Sequence, residues 1–154
     1  MLRTLYLKIS EAVQATEGES GQDREAVLRL CTATLMVEIA RADHEFSEDE
    51  FETLLTLISR HFGLSAEDAT QLANEATEVA EDAVSAHEFT KELHGQLSEA
   101  EKADVVSLLW QVAYADGRLD KYEDSLVLKI SDLLYVSRGK VMQLKHDARA
   151  AAEA

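Results

Sequence analysis

The chain has 154 residues, 46% of them hydrophobic, which suits one substantial core and excludes a wholly disordered chain. Thirty acidic against 15 basic residues give a formal net charge of −15, which repels a nucleic-acid backbone or an anionic membrane, so neither is an expected partner. Proline is absent and Cys31 is the only cysteine. That excludes an intramolecular disulfide or a thiolate metal cluster and leaves nothing to break long helices. The opening MLRTLYLKIS lacks the apolar run of a signal peptide, and no stretch approaches the ~20 apolar residues of a membrane span. The expectation is a cytoplasmic, all-α protein with no membrane insertion.

In chain order, Leu5, Ile9 and either Val13 or Ala12 form a narrow apolar stripe that predicts a first helix over Leu2 to Thr16. Glu17 to Asp23, with Gly18 and Gly21, reads as a connection, so residues 1–23 divide from a domain at 24–154. A helix from Arg24 to Ala42 carries apolar residues on more than one face, among them Val27, Cys31, Leu35 and Ile39, and is expected to be central. Cys31 in that pattern reads as a small buried hydrophobe. A helix from Glu48 to His61 follows, with Phe51, Leu54, Leu55 and Ile58 inward and Gly63 as a left-handed terminator. Ser65 opens the next helix, whose Ala69, Ala73, Ala76, Ala80 and Ala83 form a seam of small residues suited to close helix approach.

A shorter helix over His87 to Leu93 is expected to be interrupted at Gly95. Ser98 and Glu101 make a capping box for a second central helix, running to about Ala115 and holding Val105, Val106, Leu109 and Trp110. Another amphipathic helix follows the loop 116–120, with Leu126, Val127, Ile130, Leu133 and Leu134 as its apolar residues. The last, Arg138 to Ala152, is a local basic region suited to lie over an acidic surface. The total is a bundle of about seven to eight helices.

Two stretches superpose at a shift of 73 residues, which carries Asp43 onto Asp116. The shared pattern is A-D-[HG]-x-Φ-[SD]-x-x-E, with Φ apolar: Ala42 to Glu50 in one copy and Ala115 to Glu123 in the other. Each copy joins a buried-looking helix to an amphipathic one, so the fold contains two pseudo-symmetric helix–loop–helix hairpins. Ser47-x-x-Glu50 and Asp120-x-x-Glu123 are capping boxes, Phe46 and Leu119 are staples, and Gly117 supplies a left-handed turn residue that His44 replaces in the first copy. Asp43 and Asp116 stand outside the boxes, seven positions before Glu50 and Glu123. Two readings of them stay open. Either they accept loop amides, or they converge with the glutamates on a cation, for which hard oxygen ligands favour Ca²⁺, Mg²⁺ or Mn²⁺. The spacing is not that of an EF-hand.

A helix ending in ADG, then an apolar residue and a glutamate opening the next helix, all duplicated, resembles the tellurite-resistance TerB family. AYADGRLDKYE matches the pattern in full, and RADHEFSEDE matches except that histidine replaces glycine. HEFTKEL followed by LSEAEKADVVSLLWQVAYADG is similar to the family's second half, and the resemblance spans Arg24 to Ser137. It implies an all-helical fold, an acidic cluster that binds a divalent metal, and a role in tellurite and other chemical stress. It also implies, in some relatives, a link to a membrane-anchored DnaJ-like co-chaperone. By position the cluster would be Asp43, Glu50, Asp116 and Glu123, and the cation one of Ca²⁺, Mg²⁺, Mn²⁺ or Zn²⁺; His44 departs from the family pattern in the first half-site, where its imidazole is an alternative ligand.

No enzyme is expected. None of the five histidines follows a glutamate by three positions, as ferritin-like di-iron sites require, and phosphate loops and nucleophile elbows are missing. His87 and His94, seven apart, read as lone surface residues. The competing non-catalytic reading is an acidic adaptor for a basic protein partner, as a monomer or as a homodimer through the first helix.

Overall fold

The computed structural model describes residues 21–42, 47–82, 87–115 and 119–153; the predicted helix over Leu2 to Thr16, the loop aspartates Asp43 and Asp116, and His44, Ala83 and Gly117 lie outside them. Seven helices occupy the described residues: α1 (Gly21–Ala40), α2 (Glu48–Phe62), α3 (Ala66–Asp82), α4 (His87–Gln96), α5 (Glu99–Ala113), α6 (Lys121–Leu133) and α7 (Arg138–Glu153). No strand occurs among them, so the all-α bundle expected from composition is the architecture found.

The two central helices are α1 and α5. In α1, Cys31, Leu35, Met36, Val37 and Ile39 are all sealed from solvent, a set that spans more than one face. Such a helix needs neighbours all round. α1 packs most extensively on α3 and also touches α4, α5, α2 and α6, while α5 is covered chiefly by α7 and completed by α1, α6 and α2. Hence the hairpins α1–α2 and α5–α6 interlock, since α2 touches α5 and α6 touches α1. The N-terminal parts of α1 and α5 line one shared cleft, together with the end of α2.

Close approach of α3 to α1 follows from the alanine seam: Ala69, Ala73, Ala76 and Ala80 are all buried. α3 is opened by the Ser65 hydroxyl, which accepts the Asp68 amide at 3.1 Å. α4 departs from the sequence expectation. It runs through Gly95 to Gln96, because buried Leu93 and half-buried Leu97 anchor the turn on either side, and that outweighs the ~1 kcal/mol that glycine costs a helix. The Ser98 box then forms in full, Ser98 Oγ taking the Glu101 amide at 3.2 Å and Glu101 returning to the Ser98 amide at 2.9 Å.

α7 is clamped by two long-range bonds. The indole N–H of fully buried Trp110 donates to the Val141 carbonyl at 3.1 Å, and Lys145 lies 5.2 Å from the Trp110 ring while its ammonium reaches Asp124 at 2.7 Å. Arg138 adds an exposed pair with Asp132 on α6, so the basic last helix does lie over acidic groups, those of its own neighbour. Trp110→Phe keeps an aromatic ring but loses the bond and part of the volume. It is expected to lower stability by about 2 kcal/mol in urea unfolding, with the helical circular-dichroism signal retained.

Candidate functional site

Each hairpin presents its second helix with carboxylates in the first turn, where the free amides of a helix N-terminus favour negative charge. In α2 these are Glu48, Asp49 and Glu50, behind the N-cap Ser47, whose hydroxyl accepts the Glu50 amide at 3.2 Å. In α6 they are Glu123 and Asp124, behind the N-cap Asp120. The second cap differs from expectation: the Asp120 carboxylate takes the amide of Tyr122 at 2.7 Å, one residue earlier than a capping box requires. A shorter reach suits the fixed carboxylate of an Asx cap.

Glu50 and Glu123 therefore stand at the same position of equivalent helices, the third residue of each. Their surroundings differ. Glu50 is half-buried, whereas Glu123 is only 7% exposed. The structure thus places two of the four candidate residues, and Asp43 and Asp116 lie outside the described residues. Among the described residues no three or more His, Cys, Asp and Glu side chains gather as they would around a metal ion.

Away from the two acidic helix starts, three ionisable groups lie in the packing of α1 and α5. The Cys31 thiol is sealed, and burial, reinforced by the charge of Glu92, pushes its pKa up to about 12, so it stays protonated and inert. Burial also raises the pKa of half-buried Glu38 on α1, against the smaller opposing attraction of Arg41. Lys102 was not foreseen as buried. It is 3% exposed, and its ammonium donates to His94 Nδ1 at 2.7 Å with Glu99 at 3.4 Å. An ammonium can only donate, so Nδ1 is the ring nitrogen without hydrogen. His94 in turn packs on Tyr135, with ring centroids 4.5 Å apart, so it is on the surface as expected but is not alone there. The signal was in the sequence: Lys102 shares the helical phase of Val105, Val106 and Leu109, the buried side of α5.

An all-helical domain with two interlocked, acid-headed hairpins is the class these features define. Residues 29–146 match the family model described as tellurite resistance protein TerB, and the chain belongs to the TerB family. Neither a curated protein nor a solved structure matches it significantly. No described helix is long and apolar enough to cross a membrane.

Two measurements follow from the buried groups. For Glu38 the folded pKa lies above the unfolded one, so the folded state holds the proton more tightly and stability falls as pH rises past the ordinary carboxylate value of 4.5. Glu38→Gln is expected to raise the melting temperature at pH 7, with the gain vanishing below pH 4.5. His94→Phe retains a ring against Tyr135 but strips the acceptor from Lys102, for an expected loss of about 1–3 kcal/mol. Adding Lys102→Met should recover most of that loss, because a buried charge left only the longer, 3.4 Å contact with Glu99 is worse than an apolar side chain.

Proposed function

We propose that the protein is a non-enzymatic module of the response to tellurite or related chemical stress, and that it holds a divalent cation through Asp43 and Glu50 together with Asp116 and Glu123. The observation that carries this reading is Glu123. A carboxylate 7% exposed, at the head of a helix that follows the family's ADG loop, is not placed for solubility. Its counterpart Glu50 holds the same position in the other hairpin, as a duplicated ligand set requires. Carboxylate oxygens alone favour Ca²⁺, Mg²⁺ or Mn²⁺ over softer ions, with Zn²⁺ admitted if His44 contributes. The cation would neutralise carboxylates that otherwise repel one another, and so couple the hairpins.

A second reading is favoured by the distribution of charge. Residues 47–82 hold ten acidic side chains and one arginine, whereas residues 121–153 hold five acidic and six basic. A molecule so polarised is suited to act as an adaptor for a basic protein, as a monomer or homodimer in the cytoplasm, without metal.

Calorimetric titration of chelator-treated protein with Ca²⁺, Mg²⁺, Mn²⁺ and Zn²⁺ separates the two. The metal reading expects saturable binding and, at about 100-fold excess over the dissociation constant, some 2.7 kcal/mol of added stability. Asp43→Asn with Asp116→Asn should remove that gain, and Glu123→Gln should weaken it more than Glu50→Gln. Heats indistinguishable from dilution for all four ions would eliminate the cation.

A further inference from the structure

A groove of about 570 Å³ lies between α2 and α3, beside the end of α1. On the α2 side its lining is Glu48, Phe51, Glu52 and Leu55, spaced as one face of a helix, and on the α3 side Asn74, Thr77 and Glu81, also one face. The floor is apolar, with half-buried Phe51 and Leu55 resting on the core below. The rim is charged: Glu48, Glu52 and Glu81 face one cation, Arg41. This is the outer surface of the segment that holds ten of the chain's 30 acidic residues against a single arginine.

Apolar floor and anionic rim together define an occupant. A neutral apolar ligand leaves the three carboxylates without partners, and an anionic one is repelled. A flexible polycation gains the charge contacts but leaves the floor wet. An amphipathic helix with an apolar stripe between lysines or arginines satisfies both, the stripe entering between α2 and α3 and the cations reaching the rim. We infer that the α2–α3 groove is the docking site for a cationic amphipathic helix of a protein partner. The inference rests on the adaptor reading and is independent of any metal.

The test uses the full chain in chelator and a fluorescent amphipathic peptide of about 18 leucines and lysines, with a scrambled isomer and a leucine–glutamate analogue as probes. Expected is saturable binding of the first peptide only. Glu52→Lys with Glu81→Lys should weaken it at least about tenfold, while Glu25→Lys with Asp104→Lys, the same change in net charge in the α1–α5 cleft, should weaken it far less. Leu55→Asn gives a second reading of the floor, with circular dichroism confirming that each variant is folded. Binding of neither cationic peptide would sink the adaptor reading and the groove together. Binding that survives the Glu52 and Glu81 reversals, or that the control pair weakens equally, would leave an adaptor and remove the groove. A dimer by sedimentation that the same reversals dissociate would assign the groove to a second copy of this chain and overturn the inference.

Discussion

Helices α1 and α5 are apolar on more than one face, and no single neighbour can shield such a helix from water. Each side chain of Leu, Ile, Val or Met fully withdrawn from solvent contributes roughly 1.5–3 kcal/mol, so leaving a face uncovered is costly. The other five described helices are arranged to prevent it. α3 brings its alanines against α1, α7 covers α5, and α2, α4 and α6 close the sides. Interlocking of the hairpins follows, because each central helix is partly covered by the second helix of the other copy.

The two copies solve the same local problem with different residues. The first starts its outer helix with a serine and ends it at Gly63, in the left-handed region at φ 66°. The second starts with an aspartate and ends at Tyr135, in the same region at φ 60°, where a side chain costs roughly 1–2 kcal/mol. Both ends close in the same way, the Leu64 amide on the Ser59 carbonyl and the Val136 amide on the Ser131 carbonyl, each at 3.1 Å. The strained tyrosine is also the one that stacks on His94. The second terminus is therefore tied to α4 and, through His94, to Lys102 on α5, a chain of contacts built from residues of three elements.

Charge is segregated by the same packing. The ion pairs Lys145–Asp124, Arg138–Asp132, Lys102–Glu99 and Arg149–Glu153 all belong to α5, α6 and α7. The α2–α3 surface, by contrast, carries its carboxylates outward around an apolar groove. One face of the molecule thus balances its charges internally, and the other presents a field to whatever approaches.

The helix count, the central position of α1 and α5, the Ser98 capping box, the left-handed Gly63 and the burial of Cys31 and the alanine seam follow from spacing and composition, because each depends on neighbours within a turn or two of chain. Family membership was legible for a related reason, since the duplicated A-D-[HG]-x-Φ-[SD]-x-x-E pattern is itself local. Local signals misplaced the end of α4, because whether Gly95 stops a helix depends on how firmly Leu93 and Leu97 are held from outside it. They also gave Glu50 and Glu123 the same weight, although only Glu123 is buried: the covering atoms belong to whatever packs around each helix start, which sequence position does not specify. The His94–Lys102 bond, the Trp110–Val141 clamp and the α2–α3 groove are of that second kind. Sequence alone determined which residues seek the interior and where helices begin. Tertiary structure decided which polar groups were carried inside with them and which faces stayed open, because both depend on contacts between distant elements that no periodicity encodes.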